Sequence, residues 1–205
     1  MNDYVKFWNP APSDLRQMIV NPIIWDQEIP IHADLIFNTP FTRLQPDFTV
    51  LEVGCGIGRL MKHIVPQVQS SCGVDISQTM IEESHNYLRG VPNVSTFLVE
   101  PEGAYPFVDG TFDLVYSFLC LQHVPGRELL HHIYDEVFRV LKPGGVFRCQ
   151  THAGCATDSF AGYVGSWYPS AECLAQDFVG RGFTVCESQT GLGYSEWLWA
   201  TLCKP

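Results

Sequence analysis

The run Val50-Leu51-Glu52-Val53-Gly54-Cys55-Gly56-Ile57-Gly58-Arg59-Leu60 constrains the fold more than any other part of this chain. An apolar, partly β-branched stretch leads into glycines at alternate positions and then into a helix-forming sequence. A strand that feeds a helix through glycines brings backbone N–H groups close to a nucleotide-like ligand. Glu52 sits awkwardly beside a pyrophosphate and comfortably near a cation.

The rest of the chain supports one globular domain. With 205 residues, 46% hydrophobic and 17% charged, it can bury a sizeable core and does not have a disordered composition. The net charge is −10, and the 12 basic residues are scattered, without the run or stripe that a nucleic-acid backbone requires. The 8 cysteines include no CxxC pair, and several lie in apolar runs, so reduced, buried thiols are expected. The N-terminus shows no signal-peptide pattern, and the apolar segment Leu114 to Leu121 is too short to span a bilayer. A cytoplasmic protein without a membrane partner is expected.

Residues 1–40 hold prolines at 10, 12, 22, 30 and 40, which should cut them into short pieces, yet they carry Tyr4, Phe7, Trp8, Trp25 and Phe37. They read as a separate segment, either a cap on the main domain or a lid over a ligand. Residues 41–205 form the main domain. Strands are expected at Thr49–Val53, Ser71–Asp75, Val94–Val99, Phe112–Phe118 and Val146–Gln150, the last entered through a Pro143-Gly144-Gly145 turn. Helices are expected at Arg59–Val65, from an N-cap at Ser77 to Arg89, at Glu128–Leu141 and at Ser170–Gly180. On the third, Leu129, Leu130, Ile133, Val137 and Val140 should face inward. Phe183–Glu187 and Glu196–Leu202 are linked too tightly for a helical crossover and should pair antiparallel. The alternation argues for an α/β fold with an open, mainly parallel sheet and helices on both faces.

In such a sheet the ligand lies outside the carboxyl ends of the central strands, where strand order reverses. Glu52, the Gly54–Gly58 loop, Asp75-Ile76, Glu100-Pro101-Glu102 and Ser117-Phe118-Leu119 should all meet there. A carboxylate ending the second strand can accept both hydroxyls of a ribose. The dinucleotide pattern G-x-G-x-x-G would need its third glycine where Arg59 stands, whereas Gly54, Gly56 and Gly58 make G-x-G-x-G.

With Gly73-Val74-Asp75-Ile76-Ser77, Phe112-Asp113-Leu114-Val115, Gln122-His123-Val124 and Leu141-Lys142-Pro143-Gly144-Gly145 following in order, the chain resembles the class I, Rossmann-like S-adenosylmethionine (SAM)-dependent methyltransferases over roughly residues 41–205. The resemblance implies a three-layer fold whose mostly parallel seven-stranded sheet has an antiparallel C-terminal strand. It implies SAM as cofactor and S-adenosylhomocysteine as product. It places Gly54, Cys55, Gly56 and Gly58 around the methionine part, with Glu52 favouring that region. It places Asp75 on the ribose diol, Ile76 on adenine, and Phe118 and Leu119 in backbone contacts at the amino-acid end. Many relatives carry Asp where Pro101 stands. Proline offers neither a side-chain acceptor nor an N–H, so Glu100 or Glu102 would have to serve the adenine amine.

The implied reaction is an in-line displacement in which alignment does most of the work. His123, a few residues past the fourth strand, is the candidate for a catalytic base, with packing against the cofactor or helix capping as its alternative. No spacing suggests a metal. Candidates for the substrate side are Trp25, in residues 1–40, and His152, Trp167 and Tyr168, in the link from Thr151 to Pro169 that also holds Phe160 and Tyr163. A small-molecule acceptor is expected, with no nucleic acid. The alternatives are a methyltransferase acting on protein or RNA, a SAM-binding protein that transfers nothing, and an enzyme using SAM for other chemistry. The oligomeric state stays open.

Overall fold

The computed structural model describes residues 3–11, 25–154 and 167–205. In chain order these form α1 (Asp3–Trp8), α2 (Trp25–Phe37), β1 (Thr49–Val53), α3 (Arg59–Ile64), β2 (Ser70–Asp75), α4 (Gln78–Tyr87), β3 (Val94–Leu98) and β4 (Phe112–Ser117). They continue with α5 (Arg127–Val140), β5 (Leu141–His152), α6 (Ala171–Val179), β6 (Thr184–Thr190) and β7 (Trp197–Cys203).

The strands make one 7-stranded sheet in the order β3-β2-β1-β4-β5-β7-β6. The pairs β1–β2, β2–β3, β1–β4 and β4–β5 are parallel, and β7 runs antiparallel to both β5 and β6. The chain moves outward from β1 to β3, then returns to place β4 on the other side of β1. That reversal is the switch point where such sheets hold ligands.

Two apolar clusters cover the two faces. On one side Leu130, Tyr134, Val137 and Val140 of α5 and Phe178 of α6 pack on Val115, Phe147 and Leu202. On the other, Ile29, Ala33, Ile36 and Phe37 of α2 pack on Val50, Leu114, Tyr116 and Trp199. α2 runs through Pro30, which was expected to break it. The ring removes one helical hydrogen bond, but the buried face that follows it, ending in Ile36 and Phe37, holds the helix together.

The buried cation Arg148 ties α2 to the sheet. Its guanidinium lies 4.6 Å from the Trp199 ring centroid and donates to the Leu35 carbonyl at 3.1 Å, Thr201 Oγ1 at 2.6 Å and Glu187 Oε2 at 3.1 Å. The Pro143-Gly144-Gly145 turn lies inside β5 as an irregularity, because Leu141 already pairs with Phe112. Cys186 and Cys203 are joined in a disulfide across the β6–β7 pair, which corrects the expectation that every thiol is reduced. The register brings the two strand ends together, which spacing along the chain does not show.

Candidate active site

A cavity of about 390 Å³ lies at the carboxyl ends of β1, β2 and β4. Its polar wall is short-range. Gly54, Gly56 and Gly58 all have positive φ, of 75°, 53° and 82°, so the loop turns as only glycine does easily. A Cβ on Gly54 would run into the Cys120 side chain, which shows how closely the β1 loop approaches the β4 loop. A Cβ on Gly58 would stand 2.8 Å from Leu88 Cδ1, so this glycine serves packing of α3 and does not line the cavity.

Asp75 is held by one amide of the β1 loop and one of its own. Its Oδ2 accepts the Gly56 N–H at 2.8 Å and its Oδ1 accepts the Ser77 N–H at 2.9 Å. Burial pushes its carboxyl up, while these amides and that of Ile76 pull it down. Each oxygen keeps a second lone pair for a ligand hydroxyl. Ser77 then caps α4, its hydroxyl accepting from Met80 N at 3.2 Å.

Glu52 is only 4% exposed, and its Oε2 accepts from the Tyr116 hydroxyl at 2.8 Å. Burial pushes its carboxyl up to about 8, against the pull of the Tyr116 hydroxyl and the Arg59 guanidinium. A carboxyl raised this far holds its proton near neutrality, and a second cation beside it would release that proton.

A second wall is long-range and mostly apolar. Tyr4 and Trp8 of α1, Tyr105, Val124, and Leu129 and Ile133 of α5 line it. Leu129 and Ile133 face inward with Leu130, Val137 and Val140, half-buried against the same apolar cluster, and on an i, i+4 stripe they also line the cavity. Trp8 packs on His123 with ring centroids 4.8 Å apart. The next residue, Asn9, accepts from Thr79 N at 2.8 Å and Thr79 Oγ1 at 2.9 Å, which docks α1 on the start of α4.

Behind His123 runs a chain of amides. The Leu119 N–H, at a residue with φ 54°, donates to Gln150 Oε1 at 3.0 Å. Gln150 Nε2 donates to Gln122 Oε1 at 2.8 Å and to the Thr151 carbonyl at 2.9 Å. Gln122 Nε2 lies 3.1 Å from His123 Nε2.

Of the residues expected at the cofactor, Glu52, Gly54, Cys55, Gly56, Asp75, Ile76, Glu100, Pro101, Phe118 and Leu119 line the cavity, as does His123. Glu102 does not, which leaves Glu100 as the acidic neighbour of Pro101. Of the substrate-side candidates, Tyr168, Trp167 and His152 do not line this cavity. Tyr168 is fully buried and donates its hydroxyl to Asp177 Oδ2 at 2.5 Å, a tie between α6 and its own N-terminal approach. Trp167 Nε1 donates to the Val124 carbonyl at 2.9 Å, and His152 ends β5 opposite Trp197. Burial pushes the His152 ring down, with Glu196 opposing. The side chain of Trp25 and the whole of Phe160 and Tyr163 lie outside the described residues. Asp113 and Lys142, from two of the later motifs, form an ion pair at 2.8 Å, and Asp113 also accepts the Thr49 N–H at 2.8 Å, so those motifs act through the scaffold. Among the described residues no group of 3 or more His, Cys, Asp or Glu comes together to hold a metal.

Residues 51–149 match a family model described as a methyltransferase domain. Together with the fold, this match supports a class I, Rossmann-like SAM-dependent methyltransferase with SAM as cofactor. It is 36% identical to squalene methyltransferase 1 of Botryococcus braunii over 115 residues, which is 52% of this chain and 28% of that protein. It is also 36% identical to the sterol 24-C-methyltransferase erg6 of Schizosaccharomyces pombe over 107 residues, 51% of this chain and 28% of that protein. The matched stretch thus spans under a third of these relatives' length. Among solved structures, the geranyl diphosphate C-methyltransferase of Streptomyces coelicolor A3(2) superposes with a TM-score of 0.71 at 14% identity, over 99% of this chain and 97% of that one.

Proposed function

We propose that the protein transfers the methyl group of SAM to a small, largely apolar acceptor. The observation that carries this reading is the division of the cavity into a polar wall at β1 and β2 and an apolar wall at α1 and α5. The residues present suit the cofactor. Asp75 has lone pairs left for the ribose hydroxyls, Ile76 and Met80 offer apolar surface to adenine, and Glu100 is placed for its amine. Gly54 and Gly56 leave room for the methionine part, and Glu52 complements its cationic end. Bound SAM supplies an electrophilic methyl carbon, and the S–CH3 electron pair leaves with sulfur as the acceptor's pair bonds to carbon. The chain contributes orientation and exclusion of water, worth roughly 7–11 kcal/mol in well-aligned model reactions.

Trp8, Val124, Leu129 and Ile133 offer the acceptor hydrocarbon contact, and Arg59, beside Glu52, is the one cation among the described lining residues. That wall does not suit a nucleic-acid backbone. The curated relatives named for squalene and sterol support an isoprenoid-like acceptor. Among the described residues no helix is long and apolar enough to cross a membrane. The test incubates the protein with SAM and a panel of isoprenoid alcohols, sterols, peptides and RNA fragments, with products read by mass spectrometry. A gain of one methyl on the apolar members is expected. Methylation confined to peptide or RNA, or tight SAM binding without any product, would sink this reading.

A further inference from the structure

The amide chain behind His123 has a direction. A main-chain N–H can only donate, so the Gln150 atom 3.0 Å from Leu119 N is its oxygen. The Thr151 carbonyl can only accept, so the Gln150 atom 2.9 Å from it is its nitrogen. These two backbone groups orient the Gln150 amide independently and agree. Its nitrogen therefore meets the Gln122 oxygen, at 2.8 Å, and Gln122 must turn its own NH₂ to His123 Nε2, at 3.1 Å. An amide nitrogen does not accept, so Nε2 carries the lone pair and the neutral ring carries its proton on Nδ1.

Both glutamines are buried, Gln150 at 0% and Gln122 at 6% exposure, so water is poorly placed to re-terminate the chain. Placing a proton on Nε2 would set two donors against each other. Turning Gln122 moves that clash to Gln150, and turning Gln150 moves it to the Leu119 N–H and sets oxygen against the Thr151 carbonyl. Each such mismatch costs about 1–3 kcal/mol.

We infer that Gln122 and Gln150 are positioning residues that hold His123 as the neutral Nδ1–H tautomer, so that His123 shapes the acceptor side of the cavity and accepts no proton from the methyl acceptor. The final clause rests on the methyltransferase reading, and the tautomer does not. The other acidic or thiol groups on that side are no better as bases, since burial pushes the Tyr4, Tyr105 and Cys120 side chains up, towards their protonated forms. The site then suits a nucleophile whose electron pair is already free.

The test is ¹⁵N-edited NMR of the histidine rings in the full chain, with and without SAM, His123 being assigned by the loss of its signals in His123→Gln. The parent should show a protonated Nδ1 and an unprotonated Nε2. Gln122→Glu keeps the shape but replaces the donor by an acceptor, and it should move the proton to Nε2. An Nε2–H ring in the parent, or ring shifts unmoved by Gln122→Glu, overturns the lock. If Gln122→Glu does not fold, the parent spectrum alone decides. In turnover, His123→Gln should act mainly on the acceptor's KM. A fall in kcat of about 100-fold or more, the size expected for a lost base, overturns the assigned role. The spectrum reads the ring whether or not methyl is transferred, so failure of the lock and failure of the methyltransferase reading remain distinct.

Discussion

The two walls of the cavity are built in opposite ways. The β1–β2 wall is made of short runs that hold themselves, with Asp75 bonded to Gly56 and Ser77 across one loop pair. The other wall is assembled from α1, the loop after β3, the turn after β4 and one stripe of α5. The first wall is polar and fixed by backbone amides. The second is apolar and fixed by packing, apart from the amide chain behind His123. In the proposed function the first wall would take the cofactor and the second the acceptor.

The largest effect should come from Asp75→Ala. Losing two charge-assisted hydrogen bonds to the ribose should cost about 3 kcal/mol or more, on the order of 100-fold in SAM affinity by calorimetry. Near-unchanged affinity would remove the functional meaning of the polar wall.

Glu52→Gln sharpens the same wall, and its sign is opposite for binding and for stability. Burial holds the Glu52 carboxyl at about 8, well above an ordinary carboxyl. Between the ordinary range and 8 the unfolded chain binds fewer protons than the folded one, so rising pH costs the free protein stability, by up to about 1.4 kcal/mol per pH unit. Glu52→Gln should flatten that slope and raise Tm in mildly alkaline buffer, while weakening SAM about tenfold. In the parent, SAM binding near neutrality should release a proton, visible as a dependence of calorimetric heat on the buffer's ionisation enthalpy. A parent stability that does not fall with pH in this window breaks the assignment.

The smallest effect belongs to the apolar wall. Leu129→Ala should leave SAM affinity alone and raise the acceptor's KM about five- to tenfold, the value of one partly buried aliphatic side chain. Equal loss of SAM affinity would mean that the two walls are not separate.

Much of the scaffold can be read along the chain. The β1 strand, the glycine loop, the Ser77 cap and the antiparallel ending follow from local backbone preference and hydrophobic period, which act over a few residues. Arg148 shows where that reading stops. It stands in a buried strand, and only the meeting of Trp199, Thr201, Glu187 and the Leu35 carbonyl accommodates its charge. Tyr168 looked like a binding aromatic, but Asp177 takes its hydroxyl. His123 was legible as a residue at the cavity past the fourth strand, yet the amide chain that orients it depends on Gln150, which the sheet brings from β5.

By itself the sequence determined the class of fold, the glycine-loop wall and the carboxylates on it, because each rests on a contiguous run whose geometry is set by neighbours in the chain. Only the tertiary structure decided the apolar wall, the burial of Arg148, the Cys186–Cys203 pairing and the direction of the His123 amide chain. Those depend on which side chains meet across strands and helices far apart in sequence.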